Sequence, residues 1–269
     1  MRRLMIALLF LAEIASAWAQ TNTPTLNAPE LFETGMNLLQ GGGNTRRELD
    51  AVDYFRRSAE QGYAPAQVVL GYFYDVGQFV AEEPGQALYW YKKAAAQDDA
   101  LAQWLAGELT LSGRAVPVDL TEASVWLQKS AAQGNPFAAY LLGRVSLERQ
   151  DYSSAASKFR EAAMKGIPQA QRQFALLLKD GHGVRRDRSE AYTWLLVSAS
   201  VARDSVLPSL TEIEAALSRE EIESAKARAR ILEQQTSRAV IAHGCTGWVG
   251  EFDIMPAPPP PLLQDRCRP

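Results

Sequence analysis

The chain has 269 residues, with 28 Lys and Arg against 31 Asp and Glu, two Cys and two His. A net charge of −3 with both signs interspersed gives no basic stripe for nucleic acid, and so few Cys and His give little from which to build a multi-ligand metal cage. Past the first dozen residues no apolar run approaches the ~20 residues that cross a bilayer as a helix.

Residues 1–19 read as a secretory signal. Arg2 and Arg3 precede an apolar run from Leu4 to Ala12, and Ala17-Trp18-Ala19 supplies small residues at alternate positions before a cut after Ala19. The expected location is therefore periplasmic or secreted.

From about residue 28 the chain repeats itself. Ala51, Ala87, Ala123, Ala155 and Ala191 recur at steps of 36, 36, 32 and 36, followed three residues later by Tyr54, Trp90, Trp126, Lys158 and Trp194. Upstream of each, Gly35, Gly71, Gly107, Gly143 and Ala175 keep the same steps. Self-similarity on this scale signals a stacked array. Each copy reads as two helices. Ala87, Trp90, Tyr91, Ala94 and Ala95 fall at helical spacing in one, and Ala66, Leu70, Gly71 and Tyr74 in the other.

Glycine inside a helix costs ~1 kcal/mol against alanine, so its recurrence points to close approach of the paired helix, with the framework Ala facing it. Gly77, Gly113 and Gly181 stand where the first helix must end, and Gly62, Gly134 and Gly166 mark turns into the next copy, with Asp98 at the matching position. Trp90, Trp126 and Trp194 recur with the framework and are expected in the core. The copies run about 28–63, 64–99, 100–135, 136–167 and 168–204.

Two further helices are expected at Ser209–Leu217 and Ser218–Ala242, giving a capping region over 205–242. Ser218-x-x-Glu221 has the form of a capping box, and Ile222, Ala225, Ala229, Leu232 and Thr236 make one stripe. Residues 243–269 hold too much Gly and Pro for helix, and "PAPPPP" reads as extended polyproline. Cys245 and Cys267 most simply form one disulfide in an exported protein. Closing a loop of about 20 residues stabilises by roughly 3 kcal/mol. Metal binding through His243 and Cys245 competes, but the other His, His182, lies in a distant Gly-rich loop, where it is expected to face water.

The stretches "LGYFYDVGQFVAEEPGQALYWYKKAAAQ" and "DGHGVRRDRSEAYTWLLVSA" resemble Sel-1-like repeats, a branch of the tetratricopeptide superfamily. Copies two and five carry the pattern best, copy three moderately, and copy one in part. Copy four departs from it: Gly143 to Ala155 is 12 residues and the glycine loop is missing. The resemblance implies an all-α, right-handed α/α superhelical solenoid of about five helix pairs, whose first helices line a concave groove. It also implies an adaptor role.

Counted from the helix glycine, the groove positions are Phe32, Val68, Trp104, Tyr140 and Arg172 in one row. Met36, Tyr72, Glu108, Arg144 and Leu176 make the other. Tyr72, Trp104, Glu108, Tyr140, Arg144 and Arg172 form an aromatic and charged middle, of the residue types that anchor protein interfaces. The competing reading is that the aromatics pack between repeats. No phosphate loop, nucleophile elbow or His-Glu-x-x-His is present, so no cofactor is expected. The expected function is a non-enzymatic envelope scaffold that binds a segment of a protein partner, itself an envelope or membrane protein. The alternative is a binder of peptidoglycan or exported polysaccharide, with Trp104 and the tyrosines stacking on sugar rings.

Overall fold

The structure, a computed structural model, describes residues 26–40 and 45–240. The expected signal, the Pro-rich tail and the Cys245–Cys267 pair lie outside the described residues. Eleven helices and no strands occur among those described. They are α1 (Ala28–Gln40), α2 (Thr45–Glu60), α3 (Ala64–Val76), α4 (Pro84–Ala95), α5 (Ala100–Ser112), α6 (Leu120–Ala132), α7 (Pro136–Glu148), α8 (Tyr152–Met164), α9 (Pro168–Asp180), α10 (Arg188–Glu214) and α11 (Arg219–Val240). Each helix packs on its neighbours in sequence, so the chain is an all-α solenoid of five pairs closed by α11, which lies against α10 and also touches α8.

The expected punctuation is where the spacing puts it. Gly77, Gly113 and Gly181 end the first helices with φ of 69°, 73° and 79°, a left-handed conformation that glycine adopts without strain. The turns after the second helices use Gly62, Gly134 and Gly166 likewise, and Asp98 takes the same conformation at φ 63°. Short polar side chains start the helices. Asp99, Asp119, Asn135, Asp151 and Asp187 each accept from an amide of the first turn, a cap generally worth ~1 kcal/mol. Ser218 and Glu221 close the expected capping box, each side chain accepting from the other's amide.

Three expectations change or extend. The recurring helix glycine meets the framework alanine as expected, with the Ala87 and Ala123 carbonyl oxygens 3.3 Å from a Cβ at Gly71 and Gly107. It also receives the large residue four positions further along the second helix. A Cβ at Gly71 would stand 2.7 Å from the Tyr91 ring, at Gly107 2.7 Å from Leu127, and at Gly143 2.6 Å from Phe159. Trp90 and Trp194 are buried as expected, but Trp126 is only half-buried, with Lys129 Nζ 4.9 Å over its ring and its indole N–H on Glu122. Thirdly, no break separates array from cap. α10 runs unbroken through 27 residues with Pro208 inside it, on the exposed side of the helix.

Two ladders of side-chain hydrogen bonds register the copies. Gln67, Gln103 and Gln171, all buried, donate to the carbonyls of Ala59, Ala95 and Ala163 at 3.0, 3.3 and 3.3 Å, tying each first helix to the end of the preceding second helix. Ser58, Ser130 and Ser198 donate to the carbonyls of Ala28, Ala100 and Pro168, tying the second helix to the start of the first within a copy.

Copy five reaches back over copy four. His182, exposed as expected, lies with its ring 5.1 Å from that of Tyr152 at the start of α8. Gly183 has φ 71°, and a Cβ there would overlap the Tyr152 carbonyl group. Gly183→Ala is therefore expected to lift this loop off α8, read as faster amide hydrogen exchange at residues 152–155 with the remainder of the array unchanged.

Candidate partner-binding groove

The first helices of the copies share one side of the solenoid, where α5 touches α7 directly. On this side the structure gathers the predicted residues, at different depths. Trp104 is 1% exposed and Tyr72 4% exposed, so neither offers a face to a ligand. Trp104 packs on Phe137 from the next copy at 5.4 Å between centroids, and its indole N–H is buried without a hydrogen-bond partner. These two residues are core and not exposed anchors: Phe137 of the following repeat lies against Trp104, and Tyr72 is buried in a cluster with residues of copy one such as Met36 and Phe55. Val68 and Met36, from the same rows, are buried as well.

Glu108, Tyr140 and Arg172 are half-buried and Arg144 is exposed. These four form the accessible middle of the groove. Phe32 and Leu176 flank it, half-buried. Tyr140 packs at a tilt against Phe159, and burial raises the pKa of its hydroxyl against the opposing pull of Arg144 and Arg172.

Alongside them stands a cluster that the row count stopped short of. Asp75 lies one further turn along α3, four residues past Gly71, and so on the same face. Its carboxylate pairs with Arg114 at 2.9 Å, and Arg114 also reaches Glu82 and the Asp75 carbonyl at 3.0 Å each. Tyr91, fully buried where it crosses Gly71, donates to Asp75 at 3.4 Å. Burial, helped by the Asp75 charge, pushes the Tyr72 phenol up to about 12. Asp75 was legible from the helix period. Arg114 was not, because it follows a glycine cap, where the loop path decides direction.

Glu108 stands among these charges. Burial, then Asp75, push its carboxyl above the usual range, while Arg114 and Arg144 pull it back. A carboxylate whose folded pKa exceeds its unfolded one binds more protons when folded between the two values. Stability then falls as pH rises through that interval, and the penalty is present in full above the folded pKa. Glu108→Gln is thus expected to raise the melting temperature at pH 7, with the gain shrinking towards pH 4. Thermal melts of both proteins across that range check the sign. A side chain carried at a cost to folding, in an accessible groove, is a candidate for binding.

An α-helical repeat solenoid whose first helices share a charged, partly aromatic face is the class of protein these features define. The family model for the Sel1 repeat matches residues 31–63, 64–99, 100–135 and 168–200, and the chain belongs to the Sel1 repeat family. The unmatched interval is copy four, which lacks the glycine loop yet still folds as a helix pair. The chain is similar to the crystal structure of c5321, a protective antigen present in uropathogenic Escherichia coli strains that displays this repeat fold. That match has 28% identity and a TM-score of 0.68, covering 87% of this chain and 50% of that one. A Sel1 repeat protein from Oxalobacter formigenes matches at 25% identity and a TM-score of 0.52, over 79% of this chain and 62% of that one. The chain thus spans half the length of the first and less than two thirds of the second. No curated protein matches its sequence. Sel1 repeat proteins generally mediate protein–protein interaction and are typically scaffolds without catalytic activity.

Proposed function

We propose that this protein is a non-enzymatic, exported adaptor of the bacterial envelope that holds a segment of a protein partner in the groove formed by α3, α5, α7 and α9. The observation that carries the reading is the group Glu108, Tyr140, Arg144 and Arg172: four accessible polar or aromatic side chains from successive first helices, on a framework built to hold them. The signal-like residues 1–19 support export. Tyr and Arg at the centre of a concave face are the side chains that most often dominate interface energies. Glycan binding loses its main platform, since a sugar ring cannot stack on Trp104 or Tyr72 in their buried positions.

The test is co-purification from cells with the tagged chain, comparing wild type with Tyr140→Ala/Arg144→Ala. Circular dichroism first confirms that the variant folds. A partner held by the wild type and lost from the folded variant supports the groove. Equal recovery by both, or recovery of cell-wall glycan without protein, refutes it.

A further inference from the structure

The groove's charges divide along its length. Towards α3 the acidic groups have their cation, Arg114 holding both Asp75 and Glu82. Towards α9 the arrangement reverses. Arg144 and Arg172 flank Tyr140, whose ionisation both influence, yet neither makes an ion pair or a hydrogen bond among the described residues. The Nε of Arg172 is buried without a hydrogen-bond partner. A guanidinium carries five donors that have to be satisfied by something, and buried donors left unmade are rare enough in folded proteins to call for a reason.

Glu108, the nearest acid on the adjoining helix, is coupled to Arg144 electrostatically but forms no ion pair with it. It belongs as much to the Asp75 and Arg114 cluster. Two unpaired guanidinium groups and a phenol therefore face one half of a groove whose other half has a single arginine shared between two carboxylates.

We propose that Arg144, Arg172 and the Tyr140 hydroxyl form a carboxylate-binding subsite that receives an acidic side chain of the partner segment. The subsite deepens the groove reading and rests on it. The planar fork of arginine matches a carboxylate in two parallel hydrogen bonds, and the tyrosine hydroxyl supplies a third donor. The Glu108 carboxylate at the near edge disfavours a doubly charged phosphate more than a singly charged carboxylate.

The probe is a fluorescein-labelled hexaglutamate peptide with an amidated C-terminus, titrated with the full chain at low ionic strength, where exposed charges are least screened. Saturable binding is expected. Arg144→Gln/Arg172→Gln should weaken it by about ten-fold or more, since both charged donors to the carboxylate are lost. Arg144→Gln alone, at an exposed position that folding does not depend on, should weaken it by several-fold. Arg160→Gln/Arg185→Gln, the same charge change at exposed sites elsewhere, should leave it within about two-fold.

Equal weakening by both double variants, or no saturable binding by the folded wild type, overturns the subsite. Binding of hexaglutamine with a free C-terminus as tight as that of hexaglutamate also overturns it, since a terminal carboxylate would then be the ligand. A partner crosslinked from the groove without any hexaglutamate binding removes the subsite and leaves the groove standing. Failure to crosslink any partner from the groove removes the groove reading itself.

Discussion

Trp104→Ala is expected to lower the stability of the array by about 3–5 kcal/mol, the range for removing a large aromatic from a packed core. Trp104 is among the largest fully buried side chains, sits at the junction of copies three and four, and loses its contact with Phe137 when truncated. Urea denaturation followed by circular dichroism measures the loss. Trp104→Phe should cost much less, because it keeps most of the apolar contact and removes an indole N–H that has no hydrogen-bond partner. A Trp104→Ala protein within about 0.5 kcal/mol of wild type, the range of ordinary surface changes, would return Trp104 to the groove surface. Binding defects in Trp104 variants therefore report on folding first.

The second large effect concerns the helix glycines. Gly71→Ala places a methyl 2.7 Å from the ring of Tyr91, and Gly143→Ala places one 2.6 Å from the ring of Phe159. Both rings are fully buried, and Tyr91 is also held by its hydrogen bond to Asp75, so neither can swing aside. Overpacking of this kind typically costs about 1–3 kcal/mol, which outweighs the ~1 kcal/mol that alanine gains over glycine in a helix. Gly107→Ala should be milder, since the crowding atoms belong to Leu127, which has other rotamers. Gly85→Ala is the control. Nothing lies within 4 Å of a Cβ there, so it should be neutral or slightly stabilising. Thermal melts that show no order among these four would contradict the ring-on-glycine packing.

The repeat itself was plain in the sequence, because a solenoid writes the same physical constraints once per copy. Gly77 and Gly181 announce left-handed caps, Ala87 and Ala123 a close helix pair, and Ser218 with Glu221 a helix start. What recurs is legible. What does not recur is decided by neighbours that the helical period cannot see. Counting from Gly107 gives the direction of Trp104 but not its depth, which Phe137 in the next copy settles. Trp126 shares the framework position of Trp90 yet stays half-buried. The Gln67, Gln103 and Gln171 ladder left a signal that was passed over: the same polar residue four positions before the helix glycine or its Ala175 counterpart, in three copies of five. Arg114 left none, and neither did the paired and unpaired halves of the groove, which depend on loop paths and rotamers.

Site-specific photo-crosslinking in cells tests the groove most directly. A photoreactive amino acid is placed in turn at Leu147 and Leu176, on the first helices, and at Tyr89 and Val125, exposed on second helices. A segment held in the groove gives the same crosslinked partner from 147 and 176 and none from 89 or 125. Crosslinks to that partner from 89 and 125 alone would put the contact on the opposite face and contradict the groove as the binding site.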